Sequence, residues 1–455
     1  MKKKFYVTTA IDYVNARPHI GHAFEKVLAD ALARYKRQKG YDVFYLTGVD
    51  ENAQKNVQAA EVAGVKVKEF VDKNTGYFVE LVKKLNISHD KFVRTSAGSH
   101  AKVVQEILKK IIDRGDIYNG KYEGYYCSGC EGYKTEKDLV EGKCPEHNTK
   151  PKFMSEEAYF FKLSKYRQRL IKFAEKYIVP ESKKKEILSR LKQELRDISI
   201  TRKGGEWGID FPADKKYKVY VWVDALINYI SGAKDKWPAD VHVIGKGINW
   251  FHSVIWPAVL MSARYKLPNT LLVHGYLITG GKKISKSLGN VIDPLKLLEK
   301  YGADSVRYSL LRCSIFEDSD YSEEILIERN NNELANKLGN LVSRVAGLIE
   351  KNGTEKCENK LLKKLKVKEI EKRVDDYEFD KALNEIFGFI DVCNEYVQDK
   401  KPWETGDKKV LYELKESILE IAKLLWVFIP ESSEKIMKQF SAKKIVKGEV
   451  LFRKI

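Results

Sequence analysis

Cysteine is scarce in this chain: six residues in 455, too few for a disulfide scaffold. No apolar run approaches the ~18 to 20 residues needed to cross a bilayer, which excludes a spanning helix. The basic start, Met1-Lys-Lys-Lys-Phe-Tyr-Val, has neither a long apolar core nor a small-residue cleavage site. No secretory leader is therefore expected, and the cytoplasm is the expected compartment. Sequence repeats and low-complexity tracts are also missing. What the chain has in quantity is charge, 82 Lys and Arg against 64 Asp and Glu, a formal +18. That excess suits a polyanionic partner such as nucleic acid or a nucleotide, and equally suits a lysine-rich solubilising surface. With 43% hydrophobic residues the chain can build two or three domains, each with its own core.

Hydrophobic periodicity gives the order of elements. Phe5, Tyr6 and Val7 start a β-rich segment, and Phe24, Val27, Leu28, Ala31, Leu32 and Tyr35 recur at helical spacing. Gly40 stops that helix, and Val43 to Leu46 reads as the next strand. This is a βαβ unit of the nucleotide-binding type. Further strands are expected at Tyr217 to Val223, Val241 to Ile244 and Leu271 to Val273. Between the halves lies an insertion with clustered cysteines and a lysine-rich helix from Lys183 to Arg196. From about Ser322 the pattern is helical. Its apolar stripes run over Leu334 to Leu348, Phe379 to Val397 and Leu411 to Phe428. The expected fold is α/β: a Rossmann-like parallel sheet split by a zinc-binding insertion and followed by an α-helical bundle. The boundaries read as 1–115 and 215–265 for the two halves of the sheet domain and 116–214 for the insertion. Residues 266–321 form a connecting region with a basic loop, and 322–455 the bundle.

Three short patterns carry chemistry. Pro18-His19-Ile20-Gly21-His22 opens the first helix, so two imidazoles share the first turn with the positive end of the helix, where an anion such as triphosphate is favoured. Gly21 leaves space for a purine or ribose. The second pattern is Gly280-Gly281-Lys282-Lys283-Ile284-Ser285-Lys286-Ser287, a loop that brings Lys283 and Lys286 to charge building up on departing pyrophosphate. It is not a Walker A loop. In the third, Cys127-x2-Cys130-x13-Cys144-x2-His147 offers three thiolates and an imidazole, a closed tetrahedral set for structural Zn²⁺.

His19-Ile-Gly-His22 together with Lys283-Ile-Ser-Lys-Ser287 resembles the paired motifs of class I aminoacyl-tRNA synthetases. The wider text resembles the methionine-specific family of that class along nearly the whole chain. The matches include Thr8 to Asn15, Val221-Trp-Val-Asp-Ala225, Phe251 to Pro257, Asn340 to Arg344 and Lys401-Pro-Trp403. The resemblance implies a methionine–tRNA ligase that uses Mg²⁺-bound ATP. Its methionine pocket would comprise Ala10, Ile11, Tyr13, Asp50, Trp222, Ala225, Leu226, Tyr229, Ile248, His252 and Trp256. The ATP site would comprise His19, Gly21, His22, Gly245, Lys246, Gly275, Lys283, Ser285, Lys286 and Ser287, with His19, His22, Lys283 and Lys286 in the catalytic role. It further implies a zinc knuckle at the cysteines and anticodon reading by Asn340, Arg344 and Trp403 of tRNA(Met). The chemistry agrees, since a thioether suits an aromatic cavity, Asp50 can hold an ammonium, and an exposed Trp can stack on an unpaired base. Read without the resemblance, Trp222, Tyr229, Trp256 and Trp403 are core aromatics.

Departures from the family pattern fall at Asn52-Ala53, where His-Gly is usual, at Gly247, where a carboxylate is usual, and at Asp12 and Ile284. With no appended domain after Ile455, a monomer is expected. Two alternatives stay open: a class I synthetase for another amino acid, and a non-catalytic RNA-binding paralogue. The insertion is too short for the editing domain of a branched-chain enzyme, and methionine-dependent ATP–pyrophosphate exchange tests the second alternative.

Overall fold

A computed structural model of the chain describes residues 2–127, 132–134, 136–145, 148–283 and 290–455. Cys130, His147, Ser285, Lys286 and Ser287 lie outside the described residues. The chain divides into two compact units. One comprises Met1–Pro18, Asp42–Glu80 and His89–His274; the other comprises His19–Tyr41, Leu81–Ser88 and Gly275–Ile455.

The first unit is built on a seven-stranded parallel sheet. Its strands run in the order Asp12–Tyr13, Asp42–Asp50, Lys4–Thr9, Val241–Gly245, Thr270–His274 and Ile178–Val179, with Lys91–Arg94 also paired to Asp42–Asp50. Val7 sits opposite both Tyr45 and Val241. Phe5 to Thr9 are buried at every position rather than alternately, as expected where both faces of a parallel sheet are covered. Because all strands point one way, Thr9, Asp50, Gly245 and His274 end at the same edge, which is where open α/β sheets take their ligands.

Two expectations are corrected here. Tyr217 to Val223 is not a strand of this sheet. Tyr217–Val219 pairs with Thr201–Lys203 in a separate two-stranded sheet, and Val221–Leu226 is helical. The stretch read as one insertion also has two parts. Ile117–Cys127, Gly132–Lys134, Lys152–Phe161 and Ile198–Ser199 form an antiparallel sheet of their own. The helices Arg167–Tyr177 and Glu181–Lys192 flank Ile178–Val179, which returns to the parallel sheet as its edge strand beside Leu271 and Leu272. A two-residue strand buries too little to leave a signal in the sequence.

The second unit contains the Ile20–Gln38 helix, stopped at Gly40 with φ +84°, and the helical C-terminal region. The three expected apolar stripes are buried on Asn330–Asn352, Phe379–Lys400 and Lys408–Leu425. The first of these is wound as a π-helix from Asn330 to Gly339 before becoming α-helical. Val367–Asp375 and Pro430–Phe440 are further helices, too short or too mixed for periodicity to mark.

This unit has a charged centre. Asp30 and Arg307 are both fully buried, 2.7 Å apart. Asp30 also accepts from Arg34 Nε and from the Ser88 amide and hydroxyl, while Arg307 donates to the carbonyls of Phe428 and Leu85. Burial raises the Asp30 carboxyl, but the two guanidiniums and Ser88 outweigh it and hold the group below the usual carboxylate range. No helix among the described residues is long and apolar enough to cross a membrane.

Candidate active site

The first unit gathers most of the residues expected to line the methionine pocket. Ala10 and Ile11 follow the Lys4–Thr9 strand, Asp50 ends its neighbour, and Ile248 lies just past Val241–Gly245. Helix Val221–Leu226 supplies Trp222, Ala225 and Leu226. A π-turn, Phe251–Ile255, carries His252 and leads into Trp256. π-turns are rare and recur where side chains serve a function. Trp222 stacks on Phe251 with centroids 3.8 Å apart and meets Tyr13 edge-on at 6.2 Å. Phe251 was not among the expected pocket residues. It lies within a matching stretch, but nothing in the one-dimensional pattern sets it against Trp222.

Beneath these rings Tyr6, Tyr229, His252, Trp256, His242 and Thr8 are joined by hydrogen bonds. His252 Nδ1 is 3.1 Å from the Ile248 carbonyl and must carry the proton there, so Nε2 accepts from the Tyr229 hydroxyl at 2.7 Å. The Tyr6 hydroxyl donates to the Tyr229 carbonyl at 2.7 Å. Trp256 Nε1 donates a long bond to His242 Nε2 at 3.4 Å, which leaves His242 Nδ1 to meet the Thr8 hydroxyl at 2.6 Å. Burial, with His252 beside it, holds His242 well below the ordinary histidine range, so the ring is neutral. Tyr229, His252 and Trp256 are thus fixed in orientation by burial and by one another.

Asp50 is 2% exposed. Its Oδ1 accepts from the Asn52 amide at 3.0 Å. The neighbouring Glu51 carboxylate, fully buried, is tied to Thr75, Arg94 and Ser96, and its carbonyl accepts from the Trp207 indole at 2.7 Å. The departure at Asn52 also finds a role. Its side-chain amide donates to Asp224 Oδ2 at 2.8 Å and to the Thr95 carbonyl at 3.1 Å. His100 Nε2 meets the other Asp224 oxygen at 2.6 Å. Asp224 lies on the same short helix as Trp222 and Ala225, so Asn52 and His100 hold the helix that carries those two residues.

The second unit holds the two imidazoles of the first motif. His19 is the N-cap of Ile20–Gln38 and His22 its third residue, and the pair form a reciprocal cap. His19 Nδ1 accepts from the Gly21 amide at 3.1 Å, and His22 Nδ1 accepts from the His19 amide at 3.0 Å. Their rings lie 3.8 Å apart. This corrects one expectation. The amides at the helix start are not open to an anion, because Gly21 and His19 are capped and the Ile20 amide donates to the Ile292 carbonyl at 3.0 Å. Gly21 also serves the cap, since a Cβ there would lie 2.9 Å from the His19 ring. Each ring accepts at Nδ1 and therefore carries its proton at Nε2. Burial, then the Lys26 ammonium, pushes His22 down to about 3. It is a neutral N–H donor, not a cation.

The Ile20–Ile292 bond has a further meaning. Ile292 follows closely on the basic loop, so the start of the imidazole helix and the chain leaving that loop are joined in one unit. Lys283 contributes its backbone to a strand paired with Ile278. Gly275 packs without a Cβ against the Glu317 backbone, where a methyl would fall 2.3 Å from the carbonyl oxygen. Packing alone therefore already demands a glycine there. Gly245 ends its strand and Lys246 begins a 3₁₀ turn.

In the helical region Asn340 and Arg344 are exposed, and the Asn340 amide donates to the Asn336 carbonyl at 2.9 Å. Trp403 is 43% exposed on the short Pro402–Thr405 helix, which excludes its reading as a core anchor. At the cysteine cluster, Cys127 and Cys144 are both buried, although the residues around Cys144 are exposed. Cys127 Sγ lies 4.0 Å from the Thr149 hydroxyl, and the Cys144 amide donates to the Thr149 carbonyl at 2.9 Å, so both strands of the cluster meet at Thr149. Among the described residues no group of three or more candidate ligands is present.

The chain matches the family described as tRNA synthetases class I (M) over residues 5–151 and 138–346, and the anticodon-binding domain of tRNA ligase over 360–453. It is 42% identical to the methionine–tRNA ligase of Thermotoga maritima, over 99% of this chain and 80% of that one. With the Brucella suis enzyme it shares 40% identity over 96% of this chain and 91% of that one. Its fold is similar to that of Mycobacterium tuberculosis methionyl-tRNA synthetase in complex with methionyl-adenylate. The TM-score is 0.92 at 37% identity, covering 96% of this chain and 94% of that one. With the apo form of that enzyme the TM-score is 0.84 at 33% identity, covering 100% and 99%. The chain belongs to the methionine–tRNA ligases, the methionine-specific family of class I aminoacyl-tRNA synthetases.

Proposed function

We propose that this methionine–tRNA ligase divides its work between the two units, the first selecting methionine and the second handling ATP and tRNA. In the first unit the thioether lies among Tyr13, Trp222, Tyr229, His252 and Trp256, with Ala10, Ile11, Ala225, Leu226 and Ile248 completing the wall. Sulfur–aromatic contacts contribute ~0.3 to 1.5 kcal/mol each, and the fixed rings lose little entropy when the ligand binds. Asp50 receives the substrate ammonium by a charge-assisted hydrogen bond.

The methionine carboxylate attacks the α-phosphorus of Mg²⁺-bound ATP in line, forming the mixed anhydride and expelling pyrophosphate. No protein nucleophile takes part, and the rate comes from positioning and charge stabilisation. His19 and His22 donate from Nε2 to phosphate oxygens, while Lys283 and Lys286 neutralise the leaving group. Gly275, Ser285 and Ser287 complete the nucleotide site of the second unit. The terminal ribose hydroxyl of tRNA(Met) then attacks the adenylate carbonyl and releases AMP. Asn340 and Arg344 hydrogen-bond to anticodon base edges, and Trp403 stacks on an unpaired base.

The observation that carries this reading is the bond between Ile20 and Ile292, which ties the imidazole helix to the chain that leaves the lysine loop. Lys286→Ala is expected to reduce methionine-dependent ATP–pyrophosphate exchange by at least a hundredfold, in line with loss of one preorganised charge. Methionine affinity should change little. Exchange at the parental rate would remove the lysine loop from the mechanism.

Zn²⁺ fits the cysteine cluster, where Cys144 is buried although its described neighbours are exposed, and the Cys127 thiol and the Cys144 amide both reach Thr149. Cys127, Cys130, Cys144 and His147 would hold it and leave no open position, so the ion would brace the fold of the segment. Elemental analysis should find one zinc per chain, lost in Cys144→Ser. A metal-free parental protein would rule the site out.

A further inference from the structure

In the second unit, seven lysines lie between positions 356 and 372, in and around the connection from Asn340–Asn352 to Val367–Asp375. This connection borders an open cleft of about 650 Å³. Its walls include Lys360, Lys364, Lys400 and Lys409 together with Tyr396. The carboxylates that line the cleft are already engaged. Glu358 pairs with Lys363 at 2.6 Å. Asp407 caps the next helix through the Lys409 and Val410 amides. Glu413 accepts from the Lys360 amide at 2.8 Å and from the Tyr396 hydroxyl. The ammonium groups are not matched in the same way. Lys409 has Glu355 at 3.5 Å and Lys360 shares the field of Glu358 with Lys363, but Lys360, Lys364 and Lys400 close no ion pair among the described residues.

These hydrogen bonds leave the carboxylates charged, but four ammonium groups face three carboxylates in the lining and further lysines crowd the same connection, a basic balance that favours a polyanion. Its position says which one. Lys400 ends the Phe379–Lys400 helix, and Trp403, three residues on, stands exposed across a left-handed turn at Lys401 with φ +39°.

We propose that this cleft binds phosphate groups of the tRNA strand that flanks the base stacked on Trp403, with Lys360, Lys364 and Lys400 as the backbone contacts. The proposal rests on the anticodon reading of Trp403. It adds a sequence-independent grip beside a base-reading one, the usual division of labour in nucleic-acid recognition.

The test measures tRNA(Met) affinity of the full chain by fluorescence anisotropy between 50 and 300 mM salt, conditions set by the experimenter. Lys360→Gln/Lys364→Gln should weaken binding about tenfold and lower the slope of log K against log salt by about one to two. Lys423→Gln, whose partner Glu420 lies outside the cleft lining, should change neither by more than about twofold. Methionine-dependent pyrophosphate exchange without tRNA should be unchanged in both, which keeps misfolding apart from lost binding. An unaltered affinity and slope in the double variant overturns the cleft. Trp403→Ala separates the two readings: if it leaves tRNA affinity intact while the lysine variant loses it, the anticodon reading fails and the phosphate grip stands.

Discussion

His22→Asn is expected to slow methionine-dependent pyrophosphate exchange by about a hundred- to a thousandfold, the range for removal of one preorganised donor. Asparagine can place its carbonyl oxygen where Nδ1 accepts from the His19 amide, so the helix cap survives while the Nε2 donor is lost. His22→Gln reverses the exchange of parts, reaching towards the Nε2 position and giving up the cap. It should keep more activity and lose about 1 kcal/mol of stability. If asparagine were the active variant and glutamine the dead one, His22 would be a capping residue only.

The same substitution has a signature in pH. His22 sits near 3 in the folded chain against about 6.5 when unfolded. Below pH ~6.5 the unfolded chain takes up a proton that the native chain does not. Stability therefore falls on acidification, by about 1.4 kcal/mol per pH unit from this group, until the folded value is reached. Removing the imidazole removes that contribution. Denaturant midpoints of His22→Asn between pH 6.5 and 4 should fall less steeply than those of the parent. Parallel curves would mean that His22 is not buried neutral. His242 titrates in both proteins and cancels in the comparison.

Arg307→Met is expected to cost about 3 to 5 kcal/mol, because it leaves the buried Asp30 carboxylate short of its fully buried partner. It also frees the carbonyls of Leu85 and Phe428, which are then buried without that donor. Adding Asp30→Asn should recover part of the loss by removing the stranded charge. Denaturation in urea measures both variants. Should the double variant be as unstable as the sum of its parts, the two residues are not coupled and the pair is not the centre of the unit.

Much of this could be read from the chain alone where burial is complete or spacing strict. Val43 to Leu46, Val241 to Ile244 and Leu271 to Val273 are strands because both faces of the sheet are covered, which leaves unbroken apolar runs. Tyr217 to Val223 has the same appearance, yet beyond Val219 the local preference yields to a helix that carries Trp222 and Ala225. The two site glycines could be found but not explained. Their reasons, the His19 ring and the Glu317 backbone, exist only once the chain has folded. His100 and Asp224 stand 124 positions apart, and Trp222 and Phe251 meet by stacking, so neither pairing leaves a periodic trace.

The helix that opens on His19 is grouped with the C-terminal half of the chain, not with the strands that precede and follow it in sequence. Arg307 grips it at Asp30, and Lys36 and Lys39 clasp Asp375 and Glu371 of the helical region. A gene fragment ending before residue 275 would therefore code for a sheet whose first crossover had lost its bedding. The region that matches an anticodon-binding domain is also the mount for the imidazoles, and the two cannot be inherited separately.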